Sequence, residues 1–133
     1  MASVSDIQRR LPQQLGAWAA ASVVAGAALE VVGRRRGDAT ITGFARQCLL
    51  WGAVAGGIAA YGAATRHRPL GRSRLETILW ANALADVGYL AGGLLWARRG
   101  GDAARGAGAA VVVQGAYLLA SDVSHALTVR GSS

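Results

Sequence analysis

Four long runs of this chain are almost free of charge, and its arginines lie in clusters between them. The runs cover residues 15–29, 47–65, 77–97 and 106–121, and only Asp86 interrupts the third. All 14 basic residues are arginine, with no lysine. They gather at Arg34, Arg35 and Arg36, at Arg66, Arg68, Arg72 and Arg74, and at Arg98, Arg99 and Arg105. A hydrocarbon core about 30 Å thick needs roughly 20 apolar residues at about 1.5 Å each. The pattern therefore predicts helices that cross a bilayer, with arginines in the connections beside anionic headgroups.

Composition narrows the alternatives. At 133 residues the chain has room for one domain. Apolar residues make up 53%, mostly Ala and Gly, and charged residues 16%. A soluble helical bundle is the main competitor, because Ala and Gly are only weakly hydrophobic. A soluble helix, however, shows a polar face along its whole length, and these runs have none. The net charge of +7 raises a nucleic-acid reading. No basic stripe is interleaved with stacking aromatics, so nucleic acid is not the expected partner.

Punctuation along the chain sets the order of elements. Residues 1–11 read as a short polar tail, with Pro12 in the first turn of helix one, where its missing N–H is no loss. Helix one runs to about Gly33, and Gly37-Asp38-Ala39-Thr40 is a turn with Asp38 or Thr40 as N-cap. Helix two extends from about Ile41 to Thr65. Ser73-Arg74-Leu75-Glu76 fits a capping box that opens helix three, and Gly100-Gly101 ends it. Asp102 caps helix four, which reaches about Val129 with Gly131 beyond its end. Connections this short make neighbours antiparallel. The fold class is all-α, a single four-span transmembrane up-down-up-down bundle, with spans at about 14–33, 44–65, 76–97 and 106–127. Arg9 and Arg10 before the first run, and Ala25-Gly26-Ala27 within it, resemble a secretory signal. The run continues to Gly33 and three arginines, which fits a retained span better.

Small residues recur four apart at Ser22 and Gly26, Gly52 and Gly56, and Gly88 and Gly92, a spacing that lets helices approach closely in lipid. Trp18, Trp51, Trp80 and Trp96 are expected toward span ends, as in an aromatic belt. The arginines divide seven and seven between the two sides, so the positive-inside rule ties. The conventional orientation puts both termini in the cytoplasm of a bacterium, with the chain in its inner membrane; the tie also admits dual topology.

Polar residues inside the runs are the candidate site. Asn82, Asp86 and Tyr89 share one face of helix three. Gln114, Tyr117, Ser121 and His125 follow one another at three- and four-residue spacing on helix four, with Asp122 one position round. Matching depths across an antiparallel hairpin places Tyr89 level with Gln114, Asp86 near Tyr117 and Leu118, and Asn82 near Ser121 and Asp122. A carboxylate at mid-span costs about 2.5–3.5 kcal/mol on insertion scales and is a functional candidate by default. Three uses compete: a structural seam of interhelical hydrogen bonds, a proton or ion path through Asp86, Asp122 and His125, and a pocket for a lipid or small ligand.

Other chemistry has little footing. Cys48 is alone and reads as a core residue, which excludes a disulfide framework or cysteine-based metal site. His67 and His125 have no neighbouring ligand pattern, so neither metal nor haem is expected, and no cofactor is implied. Glu30 lies one turn before Arg34, which accounts for it as an ion pair. No nucleophile has a base at helical spacing, so the chain is not expected to be an enzyme.

These residues carry a likeness. Leu75-Glu76, Asn82, Asp86 and Tyr89, followed by Gln114, Gly115, Leu118, Leu119 and Asp122, resemble the pattern of a family of small bacterial four-helix membrane proteins of unknown function. Trp51, Gly52, Ala60 and Gly62 resemble its second span. The likeness covers roughly the last two-thirds of the chain. It implies the four-helix membrane fold and no activity. The family often carries asparagines in its first two spans, where this chain offers Ser22 and Ala55 or Gly56.

The expected function is a non-enzymatic membrane protein with a structural or accessory role. Its partners would be the lipid bilayer and a homo-oligomer or larger membrane complex. A small proton- or ion-coupled transporter using Asp86 is the alternative, and lipid or ligand binding or a holin-like pore follow.

Overall fold

The computed structural model describes residues 3–65 and 68–131, and these form four helices. They are α1 (Val4–Arg36), α2 (Ala39–Thr65), α3 (Arg72–Arg99) and α4 (Asp102–Gly131). All four are long and apolar enough to cross a membrane. Each contains its expected span and continues past it.

The helix starts depart from the sequence expectations, for local reasons. α1 begins at Val4 because Ser3 and Asp6 form a reciprocal capping box, the Ser3 hydroxyl accepting from the Asp6 amide at 3.2 Å. Residues 4–11 are therefore helical rather than a tail, and Pro12 sits inside the helix. An interior proline removes one helix hydrogen bond. Its ring fits against Gly62 of α2, where an added Cβ would lie 3.3 Å from the Pro12 Cβ. α3 is capped by Gly71 without a side-chain bond, so Ser73 lies in the first turn and the Ser73–Glu76 capping box does not form. Asp38 does cap α2, its Oδ1 accepting from the Ile41 amide at 3.0 Å. Asp102 is the first residue of α4 rather than its cap, and Gly131 is its last. α1 closes at Gly37, whose φ of 63° is left-handed.

α1 packs along α2 and α3 along α4, forming two antiparallel hairpins joined mainly through α2 and α4. α1 and α4 share little backbone contact. α2 and α4 run parallel and touch where they begin. A Cβ at Gly43 would collide with the Ala103 carbonyl, and one at Gly106 with the Thr40 carbonyl. Within the second hairpin the closest approach is Gly93 to Gly108, where a Cβ on Gly108 would meet the Gly93 oxygen and the Ala97 nitrogen at 2.5 Å. Gly26 and Gly52 do the same between α1 and α2, against the Ala45 and Ala19 carbonyls. Gly88 and Gly92, expected at a helix interface, have nothing within 4 Å of an added Cβ and face outward. The small-residue spacing was right for Gly26 and Gly52 and wrong for α3, whose contact glycine is Gly93.

The interior is built from small side chains, among them Ala19, Ala45, Ala55, Ala59, Ala83, Ala110 and Ala126. Along the spans many large apolar residues point outward instead, with Val24 70% and Leu84 75% exposed. That inversion suits lipid, where tight backbone packing replaces a hydrophobic drive between helices. A cluster of Ile7, Leu75, Leu79, Ala126 and Val129 closes the end of the bundle that holds Ser3. Gln8 ties the same end to the second connection, donating to the Arg68 carbonyl at 2.9 Å and accepting from the Leu70 amide at 3.2 Å.

Candidate functional site

Near the midpoints of the helices the polar side chains form two groups rather than one seam. The first joins α1 to α4. Gln114 is 3% exposed, and both ends of its amide are used. Its Oε1 accepts from the Trp18 indole N–H at 2.5 Å, and its Nε2 donates to the Ser22 hydroxyl at 3.1 Å. The Trp18 indole stacks on the Tyr117 ring, with centroids 3.8 Å apart and planes 7° apart. The buried Cys48 thiol of α2 approaches the same amide. Because α1 and α4 barely touch through their backbones, this clasp supplies much of their connection.

The second group lies between α3 and α4. Asp86 is buried at 3% exposure, on the α3 face that also carries Leu79, Ala83 and Gly93. Its Oδ2 is buried without a hydrogen-bond partner among the described residues. Gly115 makes the close approach possible, since a Cβ there would stand 3.4 Å from the Asp86 carbonyl and 3.3 Å from the Tyr89 Cβ. Asp122 of α4 lies within reach of both Asn82 and Asp86. Asn82 itself is exposed on the flank of α3.

The expected residues are thus divided. Asn82 and Asp122 come together at the matched depth, and Asp86, expected beside Tyr117 and Leu118, lies near Asp122 instead. Gln114 and Tyr117 turn to α1 instead. Tyr89, 42% exposed, meets α2, its ring set edge-on to Trp51 at 5.0 Å. Ser121 and His125 lie further along α4, the His125 Nδ1 2.7 Å from the Ser121 carbonyl. His67 lies outside the described residues. Among the described residues no group of three His, Cys, Asp or Glu is placed to hold a metal ion.

Trp18 and Ser22 belong to the site and were not expected there. Trp18 was assigned to an aromatic belt, yet it and Trp51 lie near the middles of α1 and α2. The signal was available: Trp18 and Ser22 are four apart on one face, at the depth where Gln114 needs partners. At the other end of α1, Glu30 Oε1 accepts from Arg34 at 2.7 Å, as expected, and also from Arg46 of α2 at 3.2 Å.

A family model described as a family of unknown function (DUF6992) matches residues 14–123, which takes in α2 and α3, most of α1 and α4, and both polar groups. No curated protein and no solved structure matches the chain.

Proposed function

The chain belongs to the DUF6992 family of unknown function, and within that frame we propose that it is a non-enzymatic multi-pass membrane protein with a structural or accessory role. The observation that carries this reading is the Trp18–Gln114–Ser22 clasp. A buried amide whose oxygen and nitrogen are both bonded to a neighbouring helix is holding the bundle. The setting is the inner membrane of a bacterium, with both termini cytoplasmic. The apolar outer faces suit the bilayer, a second copy or a larger membrane complex.

A second reading is favoured by one observation, the buried Asp86 Oδ2 without a partner. An intramembrane carboxyl facing a second one at Asp122 is suited to carry a proton or a monovalent cation. Under that reading the protein is a small proton- or ion-coupled transporter.

One substitution separates the two. Asp86→Asn keeps the shape and removes the titratable group. On the structural reading, liposomes containing the wild-type protein show no pH-driven flux, and the variant changes only thermal stability. A wild-type flux that Asp86→Asn abolishes, with the helical content intact, would overturn the structural reading.

A further inference from the structure

The sparse contact between α1 and α4 leaves a groove of about 590 Å³ along the side of the bundle. Its walls include Gln14, Trp18 and Ala21 from α1 and Tyr117, Ala120 and His125 from α4. Three features of this groove point to one occupant. The first is its depth. From the Trp18–Tyr117 stack near the helix midpoints it runs toward the end of the bundle that holds Ser3. On α1 the lining runs from Gln14 to Ala21, about 10 Å, and Arg10, one turn beyond Gln14 on the same face and outside the lining, carries that face to about 16 Å. That is close to half of a hydrocarbon core about 30 Å thick, the depth of one leaflet.

The second feature is its polarity gradient. The midplane end is floored by the flat, stacked rings of Trp18 and Tyr117 with Ala21 beside them. The outer end carries Gln14, Ser124 and His125. An amphiphile with its tail toward the midplane matches that order, and a uniformly polar or apolar ligand does not. The third is charge. Arg10 is exposed and makes no ion pair among the described residues, because Asp6, one turn before it, is engaged by Arg9. His125 holds the Ser121 carbonyl through Nδ1, and its other ring nitrogen has no protein partner among the described residues. A cation at headgroup depth complements a phosphate, and His125 Nε2, an acceptor while Nδ1–H serves the Ser121 carbonyl, complements a headgroup hydroxyl.

We propose that this groove binds one anionic phospholipid, with an acyl chain against the Trp18–Tyr117 stack, the phosphate beside Arg10 and a headgroup hydroxyl donating to His125 Nε2. The site is separate from the Asp86 group and stands whether or not Asp86 carries a proton.

The test is native mass spectrometry of the full chain in detergent with added dioleoyl phosphatidylglycerol or dioleoyl phosphatidylcholine. One phosphatidylglycerol should stay bound under activation that strips phosphatidylcholine. Arg10→Ala should weaken the anionic lipid about five-fold, the worth of one basic side chain beside an anionic surface, and should leave phosphatidylcholine unchanged. Ala21→Leu fills the groove from an exposed position and should weaken both lipids while circular dichroism stays helical. Arg35→Ala, at the opposite end of the bundle, should change neither. Equal retention of the two lipids by the wild type would overturn the proposal. So would undiminished phosphatidylglycerol binding in both Arg10→Ala and Ala21→Leu, or an equal loss in Arg35→Ala.

Discussion

Replacing Gln114 by leucine tests whether the α1–α4 clasp holds the bundle. The substitution keeps the side chain's bulk and removes the acceptor for Trp18 and the donor to Ser22. Interhelical hydrogen bonds within membranes average about 0.6 kcal/mol and reach about 1.7. Two of them give roughly 1 kcal/mol. The Trp18 indole N–H is then left without an acceptor in a half-buried place, and an orphaned donor costs about 1–3 kcal/mol more. Gln114→Leu should therefore destabilise by about 2 kcal/mol or somewhat more. In a Trp18→Phe background the orphan no longer exists, while a ring remains to stack on Tyr117. There the same Gln114→Leu change should cost only about 0.6 kcal/mol, the Ser22 bond alone. The assay is a double-mutant cycle of unfolding in mixed micelles, titrated with a denaturing detergent and followed by helical circular dichroism. Equal costs of Gln114→Leu in the two backgrounds would refute the coupling, and with it the idea that Gln114 acts through Trp18.

Two other outcomes follow from the packing and the caps. Gly108→Leu should abolish a monodisperse folded product on gel filtration, because the atoms an added Cβ meets are backbone atoms of Gly93 and Ala97 that cannot move aside. Gly88→Leu, on the outward face of the same hairpin, should elute as the wild type does; matched behaviour of the two would show that the Gly93–Gly108 crossing is not the tight contact described. Ser3→Ala should cost about 1 kcal/mol, confined to the first turn of α1. It is read as faster amide exchange at residues 4–7 with the midpoint of global unfolding nearly unchanged, and unchanged exchange there would count against the capping box.

The number and order of the helices could be read from where the arginines stop and start, since charge is expelled from lipid whatever the detailed packing, and their antiparallel pairing from the short connections. The pairing of Asn82 with Asp122 was legible because a short connection fixes relative depth in a hairpin, whereas Asp86, expected beside Tyr117 and Leu118, meets Gly115 and Asp122. Rotation about each helix axis was not fixed in this way. Gly88 and Gly92 have the spacing of a contact, but only the neighbouring helix decides that Gly93 faces inward. Gln114 shows the same gap, because its depth admitted both α3 and α1 and the approach of Trp18 settled the matter. Pro12 misled through a sound rule, since prolines do favour first turns, and here the Ser3–Asp6 box was the stronger signal.

The contact at the start of α2 and α4 has a further consequence. Gly43 lies against Ala103, and Gly106 lies against Thr40. Each is the same number of steps into its helix, so the contact is reciprocal, as between the halves of a symmetric dimer. Gly52 and Gly115 also correspond in this way, and Arg36 and Arg99 end α1 and α3 alike. The chain has the form of one hairpin used twice about an axis along the membrane normal, with both copies pointing the same way. By that correspondence Asp86, Gln114 and Asp122 answer to Val23, Trp51 and Ala59. The polar residues of the bundle's centre thus belong mostly to the second copy, and at these positions the two halves differ in chemistry.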